Sequence, residues 1–359
     1  MIGGVVVMAG GTGGHVFPAL AVAEELRDRG VLVSWLGSRD SFESRVVPEH
    51  GFEIQLIDIK GLRGSGIKRW LMAPIKLTKA LLQAYAVFKA RKPRLVLGMG
   101  GFVAGPGGLM ARVLGIPLVI HEQNAVPGMT NSWLARLAVQ VFEAFPNSFR
   151  KGSGAVACGN PVRREIIALP SPALRMQDRQ GPIRLLVVGG SLGAQALNEC
   201  VPGIVAGLDS NIRPVIRHQA GREKTEATCK AYQQVAVDAE VTDFIKDMAE
   251  AYAWADLVIC RAGALTISEL AAAGVAAILV PYPYAVDDHQ TQNAGYLVNA
   301  GAAKLLPQPE LEQTTLSDEL LQLFNGRERL ITMATKARSL SMPDATKRVA
   351  DYCEGIVIR

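Results

Sequence analysis

Two stretches of the chain, Val5–His15 (VVVMAGGTGGH) and Leu185–Gln195 (LLVVGGSLGAQ), repeat one pattern. Each is a short run of apolar, mostly β-branched residues, then Gly-Gly-Thr/Ser-x-Gly, then residues at helical spacing. A buried strand that turns through glycines straight into a helix opens a doubly wound α/β domain. Meeting it twice in 359 residues, where ~150 make a typical domain, predicts two such domains facing each other across a cleft. Further apolar runs at Val31–Leu36, Leu95–Leu97, Leu118–Ile120, Val215–Ile216, Leu257–Cys260 and Ala277–Val280 alternate with helix-period segments. Parallel sheets covered on both faces require that alternation. Val16–Arg29 reads as a helix, with Pro18 early and Gly30 just past its end, and Glu269–Ala273 closes in the same way at Gly274. Pro161–Pro182 carries four prolines and reads as the connection. The expected domains are 1–162 and 163–342, with the stretch after Pro343 (343–359) as a helix that crosses back onto the first.

With 49% apolar and 20% charged residues, the chain can fill both cores, which excludes a disordered chain or a disulfide-stapled miniprotein. The five cysteines are scattered with no CxxC pair, so they read as reduced core thiols and no metal site is expected. The N-terminus lacks a basic leader, and apolar stretches such as Leu95–Ala111 are broken by glycines and a proline. No transmembrane helix is expected, so any membrane contact is peripheral.

Charge is unevenly placed. Residues 1–163 hold 19 Lys and Arg against 10 Asp and Glu, and the remainder holds 19 against 23. Lys60–Arg94 alone carries ten basic residues and no acid, so the first half is expected to meet something anionic. Three glycine-rich loops follow strands: Gly10–His15, Gly98–Gly108 and Gly189–Ala194. Backbone N–H groups at a helix N-terminus hold phosphate oxygens without any side chain. One such loop is as readily a steric device; three across two domains point to two anionic ligands. No GxxxxGK[ST] occurs, which excludes a P-loop NTPase. A dinucleotide fingerprint fits poorly, because Gly11-x-Gly13 is followed by Val16 at the third glycine position, though Asp40 lies at a tolerable distance for a ribose.

Four further groups carry possible chemistry. Glu269, in Arg261–Glu269 after an expected strand, suits a ribose diol; Thr266-x-x-Glu269 equally has the spacing of a capping box. Pro281–Asn293 packs carboxylates, amides and a histidine into one loop, as a polyhydroxylated sugar needs or as a solvated loop allows. His121–Asn124 ends a strand, where open α/β sheets bind ligands. His15 closes the first glycine loop and is either a general base or a helix cap. His50 and His218 receive no role.

These motifs resemble the MurG family, the UDP-N-acetylglucosamine transferases that complete the lipid-linked disaccharide precursor of peptidoglycan. The resemblance rests on GGTGGHVFPALAVAEEL (10–26), GMGGFVAGPGG (98–108), HEQNAVPG (121–128), GNPVR (159–163), GGSLGA (189–194), RAGALTISEL (261–270) and DHQTQNA (288–294), in that order. It implies the two-Rossmann glycosyltransferase fold called GT-B. It also implies that the second domain binds the donor, with Ser191 at the diphosphate, Glu269 on the ribose and the backbone of Ile245 on the uracil edge. Ala264, Leu265, Thr266, Ile267 and Ser268, with Gln290 and Asn293, would frame the diphosphate and sugar. Thr12, Gly13, Gly14, Asn124 and Arg163 would complete that site from the first domain. Gly11, Gly13, Gly14, Gly101, Gly105 and Gly107 would receive the acceptor diphosphate.

The implied reaction passes N-acetylglucosamine to the muramyl 4-hydroxyl of undecaprenyl-diphosphate-MurNAc-pentapeptide with inversion, in one in-line displacement. His15 is the first choice of base and Glu122 the second. No cofactor is expected for the chemical step: no DxD motif is present, and a divalent-cation effect stays open. The lipid acceptor gives the basic segment a purpose at an anionic membrane surface, through Lys68, Arg69, Trp70, Leu71, Lys76 and Lys79. Nucleic acid is not an expected partner, since no aromatic stacking platform accompanies the charge. The expected location is the cytoplasmic face of the bacterial inner membrane. Rival readings are a UDP-N-acetylglucosamine epimerase of the same fold, a non-catalytic nucleotide-sugar binder and an NAD-dependent oxidoreductase.

Overall fold

Val5–Met8 and Arg184–Val188, the two apolar runs of the repeat, are each an interior strand of a separate, wholly parallel sheet. A computed structural model describes residues 3–59, 73–190, 193–285, 288–311 and 313–358. The chain divides into two units, one holding residues up to Arg163 together with the chain from Met342 onward, the other Arg164–Ser341.

The first sheet contains β1 (Val5–Met8), β2 (Val33–Ser38), β3 (Glu53–Ile57), β4 (Leu95–Gly98), β5 (Leu118–Glu122), β6 (Gln140–Glu143) and β7 (Val156–Ala157), in the order β3-β2-β1-β4-β5-β6-β7. The second contains β8 (Arg184–Val188), β9 (Val215–Gln219), β10 (Glu240–Thr242), β11 (Leu257–Cys260), β12 (Ala276–Leu279) and β13 (Ala303–Leu305), ordered β10-β9-β8-β11-β12-β13. Both are doubly wound.

All four β1 residues are buried because helices cover both faces, and a strand buried on both sides reads as a continuous apolar run. Its side chains alternate between two cores. Val5 and Val7 pack with Val16, Leu20 and Leu26 of the helix Gly13–Asp28. Val6 and Met8 pack with Ala80, Ala84 and Phe88 of the helix Ala73–Arg91. The C-terminal helix Ala345–Ile358 adds Val349, Ala350 and Cys353 to the first of these cores. Arg29 fastens it, pairing with Asp351 at 2.6 Å and Glu354 at 2.9 Å. In the second unit, Leu185, Val187, Leu257 and Ile259 pack with Leu197, Val201 and Ile204 of the helix Gln195–Ala206.

Two local expectations shift. The strand expected from Val31 starts at Val33, because Val31 N–H donates to Leu26 O and Gly30 N–H to Arg27 O, closing the preceding helix in a Schellman turn. The Thr266/Glu269 capping box does not form: the N-cap of the helix Ala264–Ala273 is Gly263, which places Thr266 inside the first turn. Among the described residues, no helix is long and apolar enough to cross a membrane.

Candidate functional site

In each sheet the direction of winding reverses beside the repeated strand, between β1 and β4 in the first and between β8 and β11 in the second. The loops leaving these strands at their carboxyl ends flank the crevice where doubly wound sheets bind ligands. The glycine loops sit there because each follows one of those strands.

In the first unit, the Gly10–His15 loop runs into the helix Gly13–Asp28, whose geometry leaves the Gly13 and Gly14 N–H groups without intrahelical acceptors. The neighbouring loop lies directly on it. Gly101 has φ +85°, and a methyl group there would come within 2.4 Å of Gly10 O, so no side chain is tolerated. Gly105 lies in the first turn of the helix Ala104–Val113. Two expected phosphate contacts are corrected. Gly11 N–H is occupied, donating at 2.9 Å to Oε2 of Glu43, a wholly buried carboxylate that also accepts from Ser38 N–H. Gly107 is buried under the sheet, where a methyl would meet Met8 Sδ at 2.2 Å; it is glycine so that helix and strand can close.

His15 is half-buried in the first helical turn, with Nδ1 3.2 Å from Gly10 O. A carbonyl only accepts, so this bond places the proton on Nδ1 and the lone pair on Nε2, the tautomer a general base needs. Thr12, the N-cap residue, is exposed in extended conformation. Arg163 lies with its guanidinium 5.7 Å from the centre of the Phe17 ring.

Glu122, the second candidate base, is corrected to a structural role. It is buried; Oε1 accepts from the N–H and Nδ2 of Asn124, and Oε2 from Gly128 N–H and Asn131 Nδ2. Four donors on one carboxylate fix the 122–131 loop and orient Asn124, and they compete with any substrate proton. The same loop is held to the GNPVR segment by His121 Nε2 on Gly159 O (2.9 Å) and Asn160 Nδ2 on Gln123 O (3.1 Å).

In the second unit, Gly193 (φ +71°) lies close against Ala220, where a methyl would stand 2.0 Å from the carbonyl oxygen. Ser191 lies outside the described residues. Behind this loop is a chain the sequence did not suggest. Asn198 Nδ2 donates to Ala220 O, its Oδ1 accepts from His218 Nε2 at 3.1 Å, and Tyr232 Oη donates to His218 Nδ1 at 2.9 Å. Ile245 N–H, expected to read a base edge, is already engaged, donating at 2.9 Å to Gln219 Oε1.

Glu269 is buried and accepts from Tyr252 Oη at 3.1 Å. Ala264, Leu265, Thr266 and Ser268 lie along the first turns of the same helix, and Ser268 Oγ donates to Ala264 O. Ile267 is corrected to a core residue: its side chain is wholly buried and its N–H donates to Gly263 O. Gln290 Oε1 accepts from Tyr282 N–H, and buried Asn293 donates to Ala262 O.

Burial holds His121 and His218 neutral, each with its pKa lowered to about 4. The unfolded imidazole takes up a proton near pH 6.5, so the stabilisation is complete above that value and is lost as pH falls toward 4. Stability should fall by about 2 kcal/mol per imidazole between pH 7.5 and 5. Urea unfolding across that range checks this, and a midpoint that does not move would contradict it.

The basic segment is only partly placed. Lys68, Arg69, Trp70 and Leu71 lie outside the described residues. Lys76 is exposed. Lys79 is not a lone cation: it pairs with Asp58 at 2.9 Å, and together with Arg39 it holds that carboxyl well below the usual range. A wider apolar surface lies beside it. Three successively packed helices leave large apolar side chains in solvent: Ile75 and Leu82 on Ala73–Arg91, Leu109 and Val113 on Ala104–Val113, and Met129 and Trp133 on Met129–Leu134. Arg136 lies 5.2 Å from the centre of the Trp133 ring.

Residues 5–143 match the glycosyltransferase family 28 N-terminal domain and 184–349 the family 28 C-terminal domain. The chain is therefore a glycosyltransferase with two parallel-sheet α/β domains. It is 56% identical over 97% of its length to the UDP-N-acetylglucosamine–N-acetylmuramyl-(pentapeptide) pyrophosphoryl-undecaprenol N-acetylglucosamine transferase of Aeromonas hydrophila, of which 95% is covered. The crystal structure of MurG from Acinetobacter baumannii is 45% identical, with a TM-score of 0.85 over 99% of this chain and all of the other. The chain belongs to the MurG family. The UDP-GlcNAc 2-epimerase of Neisseria meningitidis, 12% identical with a TM-score of 0.67 over 99% of this chain and all of the other, shares the fold alone.

Proposed function

We propose that this chain transfers N-acetylglucosamine from UDP-N-acetylglucosamine to the muramyl 4-hydroxyl of undecaprenyl-diphosphate-linked MurNAc-pentapeptide, inverting the anomeric carbon. The observation that carries the mechanism is His15, whose bond to Gly10 O puts the lone pair on Nε2. Nε2 takes the 4-hydroxyl proton as the new C–O bond forms at the anomeric carbon, and the bond to the β-phosphate breaks with its electron pair leaving on UDP. Amide N–H groups at a helix N-terminus offset the charge that develops on the leaving group.

On this reading the second unit holds the donor. The 189–194 loop and the first turn of Ala264–Ala273 receive its diphosphate, Glu269 the ribose, and Gln290 and Asn293 border the sugar. Thr12, Gly13, Gly14, Asn124 and Arg163 serve the donor from the first unit, and the amides of Gly13, Gly14, Gly101 and Gly105 serve the acceptor diphosphate. The deciding experiment follows UDP release with and without lipid acceptor, together with the configuration of the product. Acceptor-dependent release with a β-linked disaccharide is expected. Conversion of UDP-N-acetylglucosamine to its 2-epimer without acceptor would establish the rival chemistry instead.

The exposed apolar side chains support peripheral binding at the cytoplasmic face of the inner membrane, with Lys76 and Arg112 on the first two of these helices and Arg136 in the turn after the third. Each cation near an anionic surface contributes about 1 kcal/mol, and each inserted side chain about 25 cal/mol per Å² buried. The double substitution Leu82→Glu with Trp133→Glu is expected to weaken sedimentation with anionic vesicles at least tenfold, and to leave transfer to a water-soluble acceptor unchanged.

A further inference from the structure

Gly10 and Gly11 share one peptide unit, and both of its polar ends are taken. The carbonyl accepts from His15 Nδ1 at 3.2 Å, and the N–H donates to Glu43 Oε2 at 2.9 Å. Glu43 opens the short helix Glu43–Glu49 and is wholly buried. Its other oxygen accepts from the N–H of Ser38, the last residue of β2, at 2.9 Å. The carboxylate therefore joins the carboxyl end of β2 to the loop leaving β1. Two glycines leave space for it: a methyl group on Gly10 would stand 2.4 Å from Oε1, and one on Gly37 3.0 Å from Cγ.

The backbone alone does not set which way the Gly10–Gly11 unit faces. In a planar trans peptide the C=O and N–H point in opposite directions, so turning one turns the other. With glycine on both sides, and Gly11 at φ +93°, no Cβ resists a reversal of the unit. In the observed orientation the carbonyl meets His15, the proton is on Nδ1 and the lone pair on Nε2. Reversed, an N–H would face Nδ1, which would then accept, and the ring proton would move to Nε2. The carboxylate selects between the two, because it accepts from the N–H and repels the carbonyl oxygen.

We propose that Glu43 is a positioning residue for the transfer reaction: it locks the Gly10–Gly11 peptide with its carbonyl toward His15 and so keeps the lone pair on Nε2, a role that rests on the reading of His15 as general base. Wholly buried, Glu43 acts through His15 alone. Its bond to the N–H also polarises the peptide, which strengthens the carbonyl as acceptor for Nδ1–H.

Glu43→Gln keeps the volume but sets an NH2 group where one oxygen stood. Turned toward the loop, that group donates to a carbonyl and favours the reversed peptide. The first readout is nitrogen NMR of the full chain labelled in its imidazoles, with the His15 signals assigned by their loss in His15→Ala. The unaltered chain should carry the His15 proton on Nδ1, and in Glu43→Gln the form protonated on Nε2 should rise at its expense. The second readout is steady-state kinetics. Glu43→Gln should lower kcat about 10- to 100-fold, with KM for UDP-N-acetylglucosamine within about threefold. In a His15→Ala background the same substitution should change kcat less than about twofold, because the group it acts through is gone. Glu43→Asp keeps the charge but is one methylene too short to reach both amides. It should lower kcat in the same His15-dependent way, and it decides the matter if Glu43→Gln does not fold. An unchanged tautomer and kcat, or an equal loss of kcat with and without His15, would overturn the proposal. A 100-fold loss in His15→Ala beside an unaffected Glu43→Gln strikes this role alone. A kcat within threefold in His15→Ala removes the base reading, and this role with it.

Discussion

Replacing His15 by alanine is expected to lower kcat about 100- to 10,000-fold, the range a positioned general base contributes, with little change in KM for UDP-N-acetylglucosamine. The split follows from the geometry. The side chain sits in the first helical turn of the first unit with Nδ1 on Gly10 O, so Nε2 is the ring nitrogen whose lone pair serves proton transfer on this reading. The half-buried bond to Gly10 O is worth about 1 kcal/mol, so its loss should move the melting temperature by only a few degrees. Steady-state kinetics at saturating donor, with a melting curve on the same sample, check both parts. A kcat within threefold of the unaltered chain would remove His15 from the mechanism.

Asp256→Ala is expected to destabilise the second unit by about 3–5 kcal/mol, the loss found when one partner of a buried ion pair is removed. Asp256 is wholly buried in front of β11. Oδ1 accepts from Arg179 Nη1 at 2.5 Å; Oδ2 accepts from Arg184 N–H at 3.0 Å and from Arg327 Nη2 at 3.1 Å. Arg327 also donates to the carbonyls of Arg179, Gly181 and Pro182, so one carboxylate fastens the incoming connection to the helix Arg327–Ser339. Without it, two largely buried guanidinium groups face each other with no counter-charge. The network lies at the amino ends of β8 and β11, the edge away from the glycine loops. Melting should therefore drop by roughly 10 °C while kcat/KM of the folded protein at low temperature is retained. An unchanged melting temperature would show that the arginines find other partners.

The sheets were legible in the sequence because a parallel strand buried on both faces must be a continuous apolar run, and β1, β4, β8, β11 and β12 all are. The glycine loops were legible as well, since only glycine lets a strand turn this tightly into a helix. What could not be read was which use each glycine has. Gly101 and Gly107 lie in one motif, yet one shapes the loop at the sheet edge and the other makes room for Met8. The distinction depends on which atom of a distant strand lies opposite.

The motifs also misled where a polar side chain serves the protein itself. Glu122 looked like a base because it ends a strand; four donors from its own loop take it. Glu43 and Gln219 carried no local signal, because Gly11 and Ile245, the amides they hold, are 32 and 26 positions away. By itself, then, the sequence determined the two doubly wound sheets, the placing of the glycine loops and the family, since periodicity and loop chemistry are local properties of the chain. Only the tertiary structure decided which amides are left for a ligand and which carboxylates are spent on the fold, because a hydrogen bond is assigned by proximity in space and the partners are brought together only when the strands pack.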